Sequence, residues 1–222
     1  MKRKCVLSWS GGKDSMLSLR ELQDDNSYEV VSLLTTVTEG YDRISMHGVR
    51  TLLLERQAES LGIRLHKVYI PKDANNETYE KSMIEALSIY PALNVKTIAF
   101  GDVLLEDVRK YRENLVARTV LQSIYPIWKK DPAQLINSFL QNGYKATIVC
   151  IDTQKLPESF LGKTLDKDLI DSLPDDVDPG GENGEYHTFV YSGPGFQQPV
   201  KFSIGDIERR GQFSFCDLAH DN

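Results

Sequence analysis

Strand-length apolar runs alternate with stretches of helical periodicity from the N-terminus to Trp128, and this alternation narrows the fold more than any other feature of the sequence. Lys4–Trp9 reads as a short buried strand, and Asp14–Leu22 follows it with Met16, Leu17, Leu19 and Leu22 at helical spacing. Strands over Glu29–Val37, Arg64–Ile70 and Thr97–Phe100 alternate with helices over Val49–Leu61, Asn76–Tyr90 and Glu106–Gln122, and Tyr125–Trp128 reads as a short strand or turn. Gly62 stands where a helix C-cap belongs, and Pro71 and Pro91 stop the elements before them. Connections this short predict an α/β fold, a parallel sheet with helices on both faces. Right-handed crossovers then place the loops after the strands along one sheet edge, where ligands of such folds bind.

The pattern changes after about residue 130. Asp131 and Pro132 read as the N-cap and first residue of a helix to Asn142, and Ala146–Asp152 as a strand. Thr164–Leu173 reads as a short helix before the acidic, turn-prone segment 174–181, and from Tyr186 onward the chain reads as strands around a Gly-Pro-Gly turn. The expected organisation is a first domain over residues 1–130 and a smaller α+β C-terminal domain over 131–222, with no repeat or flexible linker.

Ser10-Gly11-Gly12-Lys13-Asp14-Ser15 lies directly between the first strand and the first helix. Glycines let a backbone approach an anion closely, and a helix start offers unpaired N–H groups and the positive end of its dipole. Ser10 and Ser15 add hydroxyl donors, and Lys13 adds a charge aimed at phosphates. Asp14 would repel phosphate, so its presence makes sense if a Mg²⁺ ion bridges the two. The spacing is neither a Walker A loop nor the Gly-x-Gly-x-x-Gly dinucleotide loop. It resembles the pyrophosphate-binding loop of the ATP pyrophosphatase (PP-loop, N-type) superfamily, which implies a Rossmann-like (HUP-type) sheet and cleavage of ATP to AMP and pyrophosphate.

Composition removes several other functions. A formal net charge of -6 disfavours broad nucleic-acid binding, which needs a basic surface. No stretch reaches the ~20 apolar residues of a membrane helix, and the apolar run Cys5–Leu7 is too short for a secretory leader. Cys5, Cys150 and Cys216 form neither a redox pair nor a zinc spacing, which fits a reducing cytoplasm, and the four histidines show no i, i+4 pair for a transition metal.

Three further segments narrow the resemblance: Ser45-Met46-His47-Gly48; Phe100-Gly101-Asp102 with Glu106, Asp107, Arg109, Tyr111, Arg112 and Glu113; and Gly181-Glu182-Asn183-Gly184-Glu185-Tyr186-His187-Thr188-Phe189. With the loop, they resemble the diphthine–ammonia ligase family, from about Lys4 to Gly195. That resemblance implies an enzyme using ATP and Mg²⁺ to adenylate the diphthine carboxylate on elongation factor 2, which ammonia then converts to the diphthamide amide. It further implies that Ser8, Ser10, Gly11, Gly12, Lys13 and Ser15 hold the nucleotide with Thr35, His47, Gly48 and Gly101, and that Asp14 holds Mg²⁺. Lys13, Asp14, Asp102, Asn183 and Glu185 are then the expected catalytic residues. Glu106, Arg109, Tyr111, Glu113, Glu182, Asn183, Gly184, Glu185 and His187 are the expected contacts to the acceptor or to ammonia.

Other readings stay open at this point. Glu106, Arg109 and Glu113 stand at i, i+3 and i+7, which also fits a solvated, salt-bridged helix face. His47 also fits a turn residue, and the Gly181–Glu185 segment also fits a turn entering a strand. A bacterial source would require another acceptor, such as a small molecule or a cobalamin-related carboxylate. A tRNA-modifying adenylating enzyme and a non-catalytic nucleotide-binding regulator are the remaining alternatives. Oligomeric state is not readable, although a homodimer is compatible with an enzyme of this size.

Overall fold

The computed structural model describes residues 1–41, 43–44 and 48–220. In chain order the elements are β1 (Arg3–Ser8), α1 (Lys13–Asp24), β2 (Tyr28–Thr38), β3 (Arg43–Ile44), α2 (Thr51–Leu61), β4 (Leu65–Ile70), α3 (Asn76–Leu87), β5 (Thr97–Ala99), α4 (Glu106–Val116) and β6 (Gln122–Ile124). They continue with α5 (Pro132–Gln141), β7 (Lys145–Asp152), α6 (Lys167–Asp171), β8 (Tyr186–Ser192), β9 (Phe202–Arg210) and β10 (Phe213–His220). The chain divides into two compact units: residues 1–10, 14–42 and 63–129 form the first, and 11–13, 43–62 and 130–222 the second.

In the first unit, parallel strands run in the order β4-β2-β1-β5-β6, the α/β class expected from the alternation. Its core includes Val6, Leu34 and Ile98 from the sheet and Phe100 just after β5, with Met83 and Leu87 from α3 and Leu115 and Val116 from α4. β1 lies between β2 and β5, so the chain winds outward in both directions from the gap beside β1, the switch point of such sheets. The second unit contains an antiparallel sheet in the order β8-β7-β10-β9, where Phe139 of α5 stacks on Tyr144 with ring centroids 5.2 Å apart. No helix among the described residues is long and apolar enough to cross a membrane.

Several expected boundaries hold for local reasons. Gly62 caps α2 in the left-handed conformation, with φ at 67°. Asp131 accepts a hydrogen bond from the Gln134 N–H at 2.8 Å, capping α5. Others move. The helix expected to reach Gln122 ends at Val116, because the Thr119 hydroxyl donates to the Val116 carbonyl and accepts from the Leu121 N–H. The chain then pairs as β6 over Gln122–Ile124, just ahead of the strand or turn expected at Tyr125–Trp128. The helix expected over Thr164–Leu173 keeps only Lys167–Asp171, since Thr164 bridges Thr147 and the Leu165 N–H donates to the Ala146 carbonyl.

An ion cluster in the second unit joins Arg43 and Arg50 to β10. Arg43 of β3 bridges Arg50, and both guanidinium groups converge on Asp217 of β10, at 2.8 Å from Arg43 and 3.0 and 2.5 Å from Arg50. Hydrogen bonds from Arg50 hold the Asp217 carboxyl down at about 2, with Arg43 adding to the effect against partial burial. A carboxylate depressed on folding stabilises the fold fully above its ordinary value of about 4, and that contribution is lost as pH falls through about 2. Asp217→Asn is therefore expected to lower stability at neutral pH by on the order of 1 kcal/mol, after solvent screening. The difference from wild type should vanish near pH ~2; urea unfolding across this range measures it.

Candidate functional site

The Ser10–Ser15 turn leaves β1 at the carboxyl edge of the parallel sheet. Ser8 ends β1 opposite Leu34, and the Trp9 N–H donates to the Leu34 carbonyl at 2.7 Å. The chain then enters α1 at Lys13. In the first unit, Ser10 Oγ donates to Ser15 Oγ at 3.3 Å. Beyond β5, Gly101 lies so close to the start of α1 that a Cβ there would stand 3.1 Å from the carbonyl carbon and oxygen of Asp14 and 3.2 Å from the Ser15 nitrogen. Only glycine fits without a shift, so the loops after β1 and β5 meet at the switch point. Thr35 is buried in β2, in register with Lys67 of β4.

Asp102 stands one residue beyond that contact. Its Oδ2 is 2.7 Å from Arg112 Nε, but the two buried atoms are not aligned as a hydrogen bond. Burial pushes the Asp102 carboxyl above its usual range, Arg112 opposes this, and the charge of Asp14 adds to it. The Arg112 guanidinium also packs 4.7 Å from the centroid of Phe100. Arg109 lies between Tyr125 and Trp128, 4.6 and 4.7 Å from their ring centroids, while its Nε pairs with Glu113 at 2.7 Å. That pair is the i, i+4 salt bridge of an ordinary helix face. Tyr111 has its hydroxyl pushed up by burial, with Glu80 adding. Glu106 is exposed at the start of α4 and pairs with Lys129 at 3.2 Å. Asp102 thus sits with the turn, whereas Glu106, Arg109 and Glu113 form a neighbouring charged and aromatic surface.

Within the second unit, Gly11–Lys13 is bonded into β8 and α2. The Gly11 carbonyl accepts from the Val190 N–H at 2.9 Å and from Gln57 Nε2 at 3.0 Å, and the same amide nitrogen donates to the Val190 carbonyl at 2.6 Å. Gln57 is 0% exposed. Gly11 has φ at 78°, and a Cβ on it would meet Gln57 Oε1 at 2.9 Å, so backbone shape and space both require glycine. Gly12 is buried beside it. The Lys13 N–H donates to Thr188 Oγ1 at 3.0 Å, so one of the unpaired donors expected at the helix start has a protein partner.

The acidic segment of the second unit is a closed loop. Glu185 is 2% exposed, with both carboxylate oxygens facing its own loop: Oε1 accepts from the Asp178 N–H and Asn183 Nδ2, and Oε2 from the Asn183 N–H. Burial works against its ionisation, but these bonds outweigh it and hold the carboxyl below its usual range. The Tyr186 hydroxyl donates to the Pro179 carbonyl at 2.6 Å. Glu182 points elsewhere, to Lys13 Nζ at 3.3 Å. Asn183 is exposed, Gly184 takes φ at 86° with open space around it, and His187 lies in β8 opposite Cys150. Gly48 has φ at 67° and abuts Phe215, whereas His47 lies outside the described residues.

Two residues that fix the turn, Gln57 and Thr188, have no part in the expected site. Gln57 leaves one signal: it is a polar residue on the stripe shared by Leu53, Leu54 and Ala58, the buried face of α2. Replacing it by leucine leaves the Val190 carbonyl without this donor. Gln57→Leu is expected to cost about 1–3 kcal/mol of stability, read by urea unfolding.

Among the described residues, no group of three or more His, Cys, Asp or Glu is arranged to hold a metal ion. Asp14 and Asp102 are the two carboxylates at the switch point whose charges act on one another. Residues 2–123 match the diphthamide synthase N-terminal domain and residues 131–221 the diphthamide synthase C-terminal domain. A diphthine–ammonia ligase of Schizosaccharomyces pombe is 25% identical, covering 94% of this chain and 38% of its own length. The Danio rerio protein of that name is 26% identical, covering 67% of this chain and 59% of its own length. The Rattus norvegicus protein is 23% identical, covering 95% and 87%. The chain thus spans less than two thirds of the yeast and zebrafish proteins it matches.

Proposed function

The chain belongs to the diphthamide synthase family, and from that membership we propose that it is an ATP-dependent ligase that adenylates a carboxylate and passes the acyl group to ammonia. The acceptor we assign is the diphthine side chain of elongation factor 2, and the products are the diphthamide amide, AMP and pyrophosphate. The observation that carries this reading is the Ser10–Ser15 turn at the switch point, which opens a helix and is backed by Gly101, where a side chain would need its neighbours to shift. Helix starts of this kind receive phosphates.

A carboxylate is a poor acyl donor because its oxygen is a poor leaving group; a mixed anhydride with AMP removes that obstacle. In our assignment Ser10, Gly11, Gly12 and Ser15 cradle the β and γ phosphates, and Lys13 supplies the cation that balances their charge. Ser8, Thr35, His47, Gly48 and Gly101 complete the nucleotide contacts. In our assignment Asp14 would hold Mg²⁺, with the charge of Asp102 close enough to act on it, since this ion takes one or two protein carboxylates; bound there it would offset phosphate charge. Arg112 keeps Asp102 in place, and the surface of Arg109, Tyr111, Glu113, Tyr125 and Trp128, with Glu106 at its rim, receives the acceptor. Glu185 acts through the loop it holds, positioning Glu182, Asn183, Gly184 and His187 for the amide-forming half of the reaction. We place the enzyme in the cytoplasm, where elongation factor 2 works.

Thiol chemistry of the kind used in RNA thiolation finds no support in the cysteines. Burial pushes the Cys5 and Cys150 thiols to about 12, with Glu29 and Asp152 adding, and burial raises Cys216 as well. All three are buried and free. Iodoacetamide is expected to leave them unmodified in the native protein and to alkylate all three in urea, as mass spectrometry would record.

Phosphorus NMR of ATP, Mg²⁺, ammonium and diphthine-bearing elongation factor 2 tests the reading directly. AMP and pyrophosphate are expected only with the acceptor present; their absence with it would refute the assignment. Asp14→Ala is expected to slow turnover by on the order of 10²-fold, the scale of losing one group that stabilises transition-state charge. Its ATP affinity should fall far less, and retained activity would remove the metal role.

A further inference from the structure

The loop after β5 ends on two exposed leucines. Leu104 and Leu105 are each 43% exposed, and Leu105 is the N-cap of α4, with extended backbone and no side-chain bond to the helix. Serine, threonine, aspartate or asparagine at such a position accepts a bond from the opening N–H groups, which leucine cannot do. Leu104 in turn lacks the apolar helix partner that a residue just before an N-cap commonly packs on. The fourth helical residue is Arg109, whose guanidinium lies against Tyr125 and Trp128. Single exposed leucines are ordinary. An adjacent pair, one of them standing in place of a cap, departs from what local stability favours, and such departures gather at functional surfaces.

The pair stands on a fixed base within the first unit. Val103 before it is buried, and its carbonyl accepts from the Lys129 N–H at 2.8 Å. Ile127 is buried as well, and Lys129 takes the left-handed φ of 57°. The loop after β5 and the turn after β6 are thus tied together, with Glu106 and Lys129 paired at 3.2 Å across them. An apolar surface that is already ordered loses little conformational freedom when a partner covers it.

The leucines are also close to the site. Asp102, with 13% of its side chain exposed, precedes them by two and three residues, a reach of at most about 7 and 11 Å. A protein–protein contact of ordinary size covers about 800 Å² of each partner, a disc of roughly 16 Å radius. A protein whose own side chain reaches Asp102 therefore lies over both leucines, whereas a small acceptor would leave them in water. A second copy of this chain seated there would close the site against its acceptor.

We propose that Leu104 and Leu105 are the docking point for the protein that carries the acceptor side chain, and that an apolar patch of that protein beside its diphthine residue packs on them. The choice of occupant rests on the ligase reading above. The pair then sets the KM for a protein acceptor and takes no part in the bond-making step.

Leu105→Ser and the double variant Leu104→Ser/Leu105→Ser test this with ATP, Mg²⁺, ammonium and diphthine-bearing elongation factor 2. Serine supplies the missing cap, so the urea midpoint of Leu105→Ser is expected to equal or exceed that of wild type while docking weakens. A merely structural residue would not move those two readouts in opposite directions. The double variant is expected to raise the KM for elongation factor 2 at least about tenfold, with kcat within about twofold of wild type. An unchanged KM, or one that rises only with falling kcat and a falling urea midpoint, overturns the proposal. A wild-type dimer that becomes monomeric in the double variant, read by ultracentrifugation, assigns the pair to self-association and also overturns it. Titration calorimetry with elongation factor 2 in the absence of ATP reads docking apart from turnover, and the double variant should bind at least about tenfold more weakly. Wild type that shows this difference yet releases no AMP with the acceptor refutes the ligase reading and retains the docking surface. Amide formation with equal affinities does the reverse.

Discussion

The geometry of the Gly11-Gly12 turn depends on one buried amide. Gln57 gives its two N–H bonds to the carbonyls of Gly11 and Val190, joining α2, β8 and the Gly-Gly turn through a single nitrogen. A carbonyl removed from water without a donor costs more than a made bond contributes, so these contacts set the shape of the turn more firmly than their number implies. Gly11 answers the same constraint from the other side, because any side chain there would run into the Gln57 amide oxygen. The direction of Lys13, the next residue but one, follows from this arrangement and from its bond to Thr188.

Several enclosed charges within each unit are matched. Lys13 has Glu182, Asp102 has Arg112, and Asp217 has Arg43 and Arg50. Glu185 takes three hydrogen bonds from its own loop, and the charge of Lys155 also acts on it.

Features set by local rules were readable from the sequence. The Gly-Gly turn between strand and helix, the N-cap Asp131 and the C-cap Gly62 all depend on a few neighbouring residues. Helical periodicity placed α4 but could not end it, since Thr119 and Val120 fit a helix well enough until β6 pairs with β5. Gln57 was passed over because a polar residue on an apolar stripe looks like noise until its two carbonyl partners, 46 and 133 residues away, are known. Glu182 and Glu185 look equivalent on either side of Asn183-Gly184. Only the positive φ of Gly181 and Gly184 sends one carboxylate into the loop and the other to Lys13.

The division of the chain has a consequence for modularity. The second unit takes Gly11–Lys13 and residues 43–62 from within the first half of the sequence. A fragment cut at residue 130 would therefore carry the antiparallel sheet but neither α2 nor Gln57, and β8 would lose the partners that bond it to the turn. The C-terminal half cannot be moved as a cassette onto another domain unless that domain supplies an equivalent of α2. Recombination within such a chain is confined to swaps that carry both pieces together.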